Sequence, residues 1–236
     1  MSGSRFRSVT RHITLAGTDV ALLPERALFL PVTRTLIVSD LHWGKAATFR
    51  SFGIPVPRGT TLAGLGRLDA VVARTGATSL YVLGDLLHAR AGMQPATVAA
   101  LQLWRATSVA LDITLVRGNH DYHAGDPPPS LGIDCVDAPF HLGPFALHHH
   151  PVSDPSGYVL AGHVHPVVQI RGRGRQRLTL PCFAFGPAGG LLPAFGEFTG
   201  GGVIDPRDYS HTYVIADDDV LPLGSTLVAP PPHGST

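Results

Sequence analysis

Short apolar runs, each followed at once by polar residues, recur along the chain. Five such runs lie at residues 35–38, 80–83, 113–116, 145–147 and 158–161. Runs of this length that are rich in Val, Ile and Leu, with Gly and Asp at their ends, are typical of buried strands. The pattern therefore predicts five strands, each ending in a cluster of Asp, Asn or His.

Two helices are predicted between the first three strands. The first is capped by Thr60 or Thr61 and ends at Gly76, and its apolar stripe consists of Leu62, Leu65, Leu68 and Val72. The second follows Pro95, and its buried side consists of Val98, Leu101 and either Leu103 or Trp104. Strands that alternate with helices at this spacing predict an α/β fold, in which ligands bind beyond the carboxyl ends of the strands. We therefore expect the polar clusters to converge on one crevice.

Composition and charge exclude several classes of protein. Apolar residues make up 44% of the 236 residues and charged residues only 15%, whereas a disordered chain needs low hydrophobicity and high charge. The formal net charge of +1 gives no bulk basic character and weighs against tight, sequence-blind binding to duplex nucleic acid. We expect one domain over residues 1–228, followed by a disordered Pro-rich tail at 229–236.

The expected location is the cytoplasm. The two cysteines, Cys135 and Cys182, are too few for a disulfide framework, which suggests a reducing compartment. The early basic residues Arg5, Arg7 and Arg11 are not followed by the apolar segment of a signal peptide. No run approaches the ~18 apolar residues of a membrane span, so no membrane association is expected.

The polar clusters contain more metal ligands than one ion needs. Seven nitrogen or oxygen ligands are available, namely Asp40, His42, Asp85, Asn119, one of His148, His149 and His150, His163 and His165. One metal has about four to six positions, whereas two metals that share Asp85 as a bridge would use the whole set. Carboxylates and imidazoles without thiolate suit Mn²⁺, Fe or Zn²⁺. Two ions about 3.5–4 Å apart are the usual arrangement for in-line displacement at phosphorus.

The order of these motifs resembles a known family. From Asp40 to His165 the chain carries Asp-x-His, Gly-Asp, Gly-Asn-His-Asp, His and Gly-His-x-His, a set similar to that of the calcineurin-like metallophosphoesterase superfamily. The resemblance implies an α/β fold, a four-layer sandwich of two mixed β-sheets flanked by helices. It also implies that one metal is held by Asp40, His42, Asp85 and His165, and the other by Asp85, Asn119, His149 and His163.

The resemblance extends to two further histidines of the same motifs. The family's His-x-Pro pattern selects His149 as the ligand, with His148 as the alternative. The non-ligand histidine of the Gly-Asn-His-Asp motif is His120, which would steady the equatorial phosphate oxygens or protonate the leaving alkoxide.

A closer resemblance covers residues 22–28, 40–61 and 192–201. These stretches resemble the bacterial DNA-ligase-associated metallophosphoesterases, although Trp43 stands where we expect Leu. The resemblance implies a Mn²⁺-dependent phosphodiesterase, grouped as an endonuclease with DNA repair and the DNA damage response. It also implies a DNA ligase, a helicase and an exonuclease as candidate partners.

One more histidine is singled out by resemblance. The stretch from Gly84 to His88 resembles the corresponding loop of the superfamily's double-strand-break repair nucleases, which implies that His88 lies beside His120. The protein-phosphatase branch has an aspartate at this position. We therefore expect His88 to orient His120 and to favour diesters as substrates.

Several basic residues are candidates for binding a phosphate. Lys45 and Arg50 could either contact a phosphate or line a loop. Four arginines alternate along one stretch, namely Arg171, Arg173, Arg175 and Arg177. In a single strand they would point one way and could contact a phosphate backbone; in the alternative interpretation they belong to a solvated hairpin.

The predicted activity is metal-dependent hydrolysis of phosphodiesters, with single-stranded or flapped DNA as the expected substrate. RNA and small diesters stay open as substrates, as does the oligomeric state. The enzymatic alternatives are a phosphomonoesterase and a nucleotide pyrophosphatase that use the same metals. A non-enzymatic alternative is an accessory protein that binds a ligase or helicase complex. An inactive binding scaffold would be expected to have lost ligands, and none is missing here.

Overall fold

The chain folds around two β-sheets that pack face to face. A computed structural model describes residues 9–57, 59–171, 176–197 and 199–224. The expected tail at 229–236 and the ends of the expected domain, at 1–8 and 225–228, lie outside the described residues.

The first sheet has seven strands in sequence order. Its strands are β1 (Arg11–Leu15), β2 (Thr18–Leu23), β3 (Ala27–Leu30), β4 (Thr35–Val38), β5 (Ser79–Leu83), β6 (Asp112–Val116) and β7 (Ile133–Val136). Strands β1 to β4 are antiparallel neighbours, and β4 to β7 are parallel neighbours. The carboxyl ends of β4, β5 and β6 therefore lie at one edge of the sheet.

The second sheet is also mixed. Its strands are β8 (Phe140–Leu142), β9 (Phe145–Leu147), β10 (Tyr158–Ala161), β11 (Pro166–Arg171), β12 (Arg177–Phe185), β13 (Gly189–Leu191), β14 (Gly202–Val203), β15 (His211–Ala216) and β16 (Asp219–Pro222). Strands β9, β10 and β13 are parallel neighbours, whereas β12 pairs antiparallel with β11, β13 and β15. Two parallel strands, β9 and β10, thus supply two further carboxyl ends.

Four helices connect the strands of the first sheet. They are α1 (Lys45–Ser51), α2 (Thr60–Thr75), α3 (Pro95–Thr107) and α4 (Asn119–Ala124). In α2, Gly76 follows the last turn with φ at 65°, a left-handed conformation that glycine adopts without steric cost. None of the helices in the described ranges has the length and apolar character needed to cross a membrane.

The five predicted strands and both predicted helices are present, with small corrections in the helices. Gly59 precedes α2 where Thr60 or Thr61 was expected as the cap. Leu62 is exposed and Val71 is buried instead, because the stripe that faces the sheet is centred on Leu65, Leu68 and Val71. In α3, Leu101 is buried as predicted, and of the two alternatives it is Trp104 that is buried and Leu103 that is exposed. Trp104 Nε1–H donates a hydrogen bond to Asp69 of α2 at 2.6 Å.

Three layers of apolar contacts hold the fold together. The first contains Leu68 of α2 and Leu101 of α3, which pack on one face of the first sheet. The second lies between the sheets and joins Ile37 of β4 to Phe183 of β12. The outer face of the second sheet is covered by residues between its strands, including Tyr209. Two mixed sheets with flanking helices confirm the predicted sandwich, and the crevice lies where the polar strand ends of both sheets meet.

Candidate metal centre

The polar clusters at the strand ends are joined by backbone hydrogen bonds. After β4 and β5 end, pairing continues, with the Asp40 N–H donating to the Gly84 carbonyl at 3.1 Å. The His42 N–H donates to the Asp85 carbonyl at 2.9 Å. From the second sheet, the Gly162 N–H donates to the His149 carbonyl at 3.0 Å. The side chains of these residues are therefore carried by a hydrogen-bonded framework.

The backbone at this site adopts an uncommon conformation. Nine residues other than glycine have positive φ within the described ranges. Five of them are predicted ligands, namely Asp40, His42, Asp85, His163 and His165, with φ between 49° and 64°. Left-handed backbone costs about 1 kcal/mol or more at such a residue. The surrounding hydrogen bonds maintain this conformation, which turns the side chains into the crevice.

Glycines of the motifs permit close approach to these side chains. A Cβ at Gly118 would lie 2.5 Å from Asp85 Oδ1, and a Cβ at Gly162 would lie 2.5 Å from Asp40 Oδ2. Both distances are shorter than van der Waals contact. Each carboxylate therefore occupies the space that a side chain at the neighbouring motif would fill.

We expect Gly118→Ala to displace Asp85 and to lower metal affinity by about 10- to 100-fold, the range seen when groups supporting a metal ligand are changed. The φ of Gly118 is −101°, so the added methyl group acts by contact and not by backbone strain. Gly66→Ala is the matched control, because a Cβ there meets no atom within 4 Å. The measurement is Mn²⁺ affinity by calorimetry, and equal affinity of the two variants would contradict the prediction.

One half of the site gathers two imidazoles and two carboxylates. His165 Nε2 lies 3.2 Å from Asp40 Oδ1 and 3.5 Å from His42 Nε2. His42 Nε2 in turn lies 3.8 Å from Asp85 Oδ2. The ligand atoms of Asp40, His42 and His165 are close enough to one another to hold one ion between them.

The other half is built around His149. Its Nε2 lies 2.9 Å from Asn119 Oδ1, 3.1 Å from His163 Nδ1 and 3.4 Å from Asp85 Oδ1. Asp85 thus presents one carboxylate oxygen to each half. The structure brings all seven predicted ligands together, with Asp85 between the two groups.

Hydrogen bonds to distant carbonyls determine which nitrogen of each imidazole faces the crevice. His149 Nδ1–H donates to the Leu83 carbonyl at 2.9 Å, and His165 Nδ1–H donates to the Thr199 carbonyl at 2.9 Å. In both rings the lone pair of Nε2 is then left for a metal. Burial and the nearby Lys45 lower the pKa of His42 to about 2, so its imidazole is neutral, the form that binds metals.

The three consecutive histidines have three different surroundings. His148 Nε2 pairs with Asp154 Oδ2 at 2.8 Å, away from the other ligands. His149 is buried at the centre of the second half. His150 is exposed, with its ring 4.2 Å from that of His163. The geometry therefore favours His149 over His148. His150 is a neighbour of the site that the motif pattern did not single out.

His120 and His88 stack beside the first half of the site, with ring centroids 4.8 Å apart. The His120 Nδ1–H donates to the backbone carbonyl of His88 at 2.6 Å, which leaves His120 Nε2 on the side of Asp85 Oδ2, at 3.9 Å. His88 Nδ1 faces His42 Nδ1 at 3.4 Å. The imidazole of His88 thus hydrogen-bonds to a predicted ligand, and it contacts His120 by stacking and through its backbone.

The acidic residue of the Gly-Asn-His-Asp motif, Asp121, braces the loop. Asp121 accepts the N–H of Leu87 at 3.0 Å and the N–H of Gly118 at 2.9 Å. Burial raises its pKa. Asp121 therefore ties the loop after β5 to the start of α4 and does not face the crevice as a ligand.

The donor set fits divalent cations. Asp40 and Asp85 are 0% and 2% exposed, and within the described residues their only ion-pair partners are histidines. Two buried carboxylates without a cation are costly. Divalent ions bound by these oxygens and by the neutral imidazoles would supply the missing charge, and the absence of thiolate ligands suits Mn²⁺, Fe or Zn²⁺.

Comparison with known families identifies this architecture. The family model described as calcineurin-like phosphoesterase matches residues 33–177, which include every predicted ligand. The chain belongs to the calcineurin-like phosphoesterase family. It is accordingly a metallophosphoesterase, a hydrolase of phosphoesters, and the family predicted from the motifs is confirmed.

One solved structure supports the same assignment of this phosphoesterase. The chain is 46% identical to Pseudomonas putida nuclease MPE, with a TM-score of 0.80, and the match covers 91% of this chain and 100% of that chain. This similarity is consistent with the ligase-associated type. Yfce, a phosphoesterase from E. coli, is 16% identical over 78% of this chain and 88% of that chain, with a TM-score of 0.35. Among curated proteins no significant match is found.

The basic residues of the phosphoesterase lie at different distances from the site. Lys45 is half-buried beside His42, where its ammonium group could reach a substrate phosphate. Arg50 is exposed and donates a hydrogen bond to the Pro57 carbonyl at 3.2 Å. Arg50 thus contacts the loop before α2, and its contact with a phosphate stays a prediction.

Of the two interpretations of the four alternating arginines, the strand pairing favours the hairpin. Arg171 ends β11 and is paired with Arg177, which begins β12, across an antiparallel hairpin. Arg173 and Arg175 lie outside the described residues. Because β11 runs away from His165 for six residues, Arg171 is about 17 Å along the strand from its start. The backbone of Arg171 is thus remote from the metal ligands, and contact of this segment with a phosphate backbone stays a prediction.

Proposed function

We propose that this phosphoesterase is a two-metal phosphodiesterase that cleaves single-stranded or flapped DNA. The observation that carries the proposal is the position of Asp85, with one carboxylate oxygen toward each group of ligands. Such a bridge is what two ions about 3.5–4 Å apart require. The likeness to a protein named as a nuclease supports a nucleic acid as the substrate.

In the proposed site, one metal is held by Asp40, His42, Asp85 and His165, and the other by Asp85, Asn119, His149 and His163. A pair of Mn²⁺ ions bound there would supply positive charge that polarises the phosphoryl oxygens. The backbone N–H of His163 donates a hydrogen bond to Asp40 Oδ2 at 3.0 Å, which supports its proposed orientation as a ligand of the second metal. Lys45 is placed to neutralise part of the substrate's charge.

His120 is the proposed proton donor. The His120 Nδ1–H donates a hydrogen bond to the His88 carbonyl, so a proton on Nε2 would point into the crevice near Asp85 Oδ2. Cleavage of a DNA diester breaks the bond from phosphorus to a sugar oxygen. That oxygen departs as an alkoxide, which is a poor leaving group unless it is protonated. His120 would therefore assist the leaving group, and His88 would position both His120 and His42.

The proposal places the enzyme in DNA repair in the cytoplasm, with a DNA ligase, a helicase and an exonuclease as candidate partners. The repair role and the partners rest on the resemblance of residues 22–28, 40–61 and 192–201 to the ligase-associated type, and the location rests on the cysteine content and the N-terminal sequence. The near-neutral charge of the chain is consistent with a substrate held mainly at the site and not along an extended basic surface.

Metal-stripped protein reconstituted with one ion at a time tests the proposal. We expect Mn²⁺ to restore cleavage of circular single-stranded DNA and of a nitrophenyl phenyl diester, with two ions bound per chain. Circular DNA reports endonuclease activity because it has no ends. Failure to cleave any diester, together with rapid hydrolysis of a nitrophenyl monoester or of a nucleoside diphosphate, would instead indicate a phosphomonoesterase or a pyrophosphatase.

A further inference from the structure

Residues 193–197 form a segment, called here the Phe195 segment, that lies against the chain just after β4. The Phe195 N–H donates to the Ser39 carbonyl at 2.8 Å, and the Gly196 N–H donates to the Asp40 carbonyl at 2.9 Å. A Cβ at Gly196 would lie only 2.8 Å from the Asp40 carbonyl oxygen, which is shorter than van der Waals contact. A displacement of the Phe195 segment would therefore also displace the backbone that carries the Asp40 carboxylate.

The Phe195 segment also leads to a second predicted ligand of the first metal. The hydroxyl of Thr199 donates to the Gly196 carbonyl at 3.4 Å, and the Thr199 carbonyl accepts the Nδ1–H of His165 at 2.9 Å. His165 and Asp40 are in turn 3.2 Å apart, from Nε2 to Oδ1. The segment thus supports two members of the first group of ligands.

Two arginines bind the carbonyls of the Phe195 segment. Arg26 Nη1 donates to the carbonyls of Ala194 at 3.3 Å and Gly196 at 3.4 Å. Arg67 Nη2 donates to the carbonyl of Phe195, and the Arg67 guanidinium lies 4.4 Å from the centre of the Phe195 ring, within the range of a cation–π interaction. Three successive carbonyls are therefore bound by two guanidinium groups.

This arrangement places two positive charges in a poorly solvated region. Burial lowers the pKa of both Arg26 and Arg67, and Arg67 Nε is buried without a hydrogen-bond partner among the described residues. Burying a charge costs free energy unless hydrogen bonds or opposite charges compensate for it. Glu197 lies 3.6 Å from Arg67 Nη1, but its side chain is 42% exposed, and an exposed ion pair contributes little. The carbonyls of the Phe195 segment have to supply the compensation that this ion pair does not.

We propose that Arg67 and Arg26 are positioning residues of the first group of metal ligands. They hold the Phe195 segment against the backbone of Asp40 and next to the loop that orients His165. The inference rests on the proposed two-metal function and assigns a role to residues outside the ligand set. Outer hydrogen bonds of this kind orient metal ligands and raise their affinity for the ion. Loss of Arg67 should therefore weaken one ion selectively, whereas a general loss of stability would weaken both.

Calorimetric titration with Mn²⁺ tests the proposal. In Arg67→Met we expect the affinity for one of the two ions to fall by about 10-fold, the lower end of the range for changes around a metal ligand, and the other affinity to be unchanged. Arg74→Met is the matched control, because Arg74 lies in the same helix, α2, and forms an ion pair with Glu25. Methionine and arginine have similar helix propensities. Arg67→Lys retains the charge and a donor and should recover part of the loss.

Two further variants identify the ion and the contact. Asn119→Ala is expected to lose the second ion, and adding Arg67→Met to it should lower the affinity for the remaining ion by the same factor. Glu197→Gln removes the exposed ion pair and should leave both affinities unchanged. An equal loss in Glu197→Gln and in Arg67→Met would overturn the proposal, because charge and not carbonyl binding would then account for the effect.

The outcomes separate the positioning role from the proposed function. If the wild type binds two ions and cleaves a diester, but Arg67→Met binds both ions as tightly as Arg74→Met or loses both equally, the positioning role is overturned and the diesterase remains. If the wild type cleaves only monoesters while Arg67→Met still weakens one ion, the diesterase is overturned and the positioning role remains. A wild type that binds fewer than two ions would overturn both. Thermal unfolding shows whether each variant folds, and if Arg67→Met does not, the same titration of Arg26→Met decides.

Discussion

Replacing Asp85 with asparagine is expected to remove one of the two bound ions and to lower kcat/KM for DNA by roughly 10³-fold, about 4 kcal/mol of transition-state stabilisation. The physical reason is that Asp85 presents a different carboxylate oxygen to each group of ligands, with Oδ1 3.4 Å from His149 and Oδ2 3.8 Å from His42. An amide keeps the shape but loses the charge and one acceptor oxygen.

The readouts for Asp85→Asn are bound metal by elemental analysis and the rate of cleavage of circular single-stranded DNA. Asp112→Asn is the matched control, because Asp112 is an exposed aspartate on β6 in the same parallel sheet. We expect the control to bind two ions. An Asp85→Asn protein with two ions per chain would show that Asp85 is not the bridge, whatever its activity.

Replacing His120 with alanine is expected to lower the rate of DNA cleavage by about 10²- to 10⁴-fold, the usual contribution of a general acid. His120 is held by a hydrogen bond from its Nδ1–H to the His88 carbonyl and is not among the predicted ligands, so two ions should still bind. With a nitrophenyl diester the loss should be much smaller, because nitrophenolate departs without a proton.

The two substrates distinguish the two predicted roles of His120. If His120 instead steadies the equatorial oxygens of the phosphate, the variant should lose the same factor on DNA and on the nitrophenyl diester. His141→Ala is the control, because His141 is an exposed histidine on β8. Loss of bound metal in His120→Ala would contradict both roles and would make His120 a ligand.

The backbone and the side chain of His88 make different contacts beside the metal centre, and His88→Ala would separate them. The variant keeps the carbonyl that accepts the His120 hydrogen bond, but it removes the ring that stacks on His120 and faces His42 Nδ1. Burial, with Lys45 and His120 nearby, lowers the pKa of His88 to about 4, so the ring is neutral and can accept the proton of His42 Nδ1. The structure thus links His88 to the metal ligands more directly than the sequence suggested.

Much of the fold could be predicted because its elements have strong local patterns. The apolar runs at 35–38, 80–83 and 113–116 correspond to β4, β5 and β6, since a strand buried on both faces must be apolar at every position. Strands β2 and β3 also contain apolar runs, at 20–23 and 27–30, but no cluster of Asp, Asn or His follows those runs, so the pattern did not single them out. Helices α1 and α4 have seven and six residues, which is too short for a helical period to be recognised.

The sequence by itself determined which donor types stand at which strand ends, because motif order and strand position are local properties of the chain. Only the tertiary structure decided that His149 and not His148 or His150 meets Asn119, and which nitrogen of each ring is free. Those outcomes depend on hydrogen bonds to Leu83, Thr199 and Asp154, which lie 66, 34 and 6 residues away from their histidine partners. The hairpin that separates Arg171 from Arg177 is likewise a matter of strand pairing.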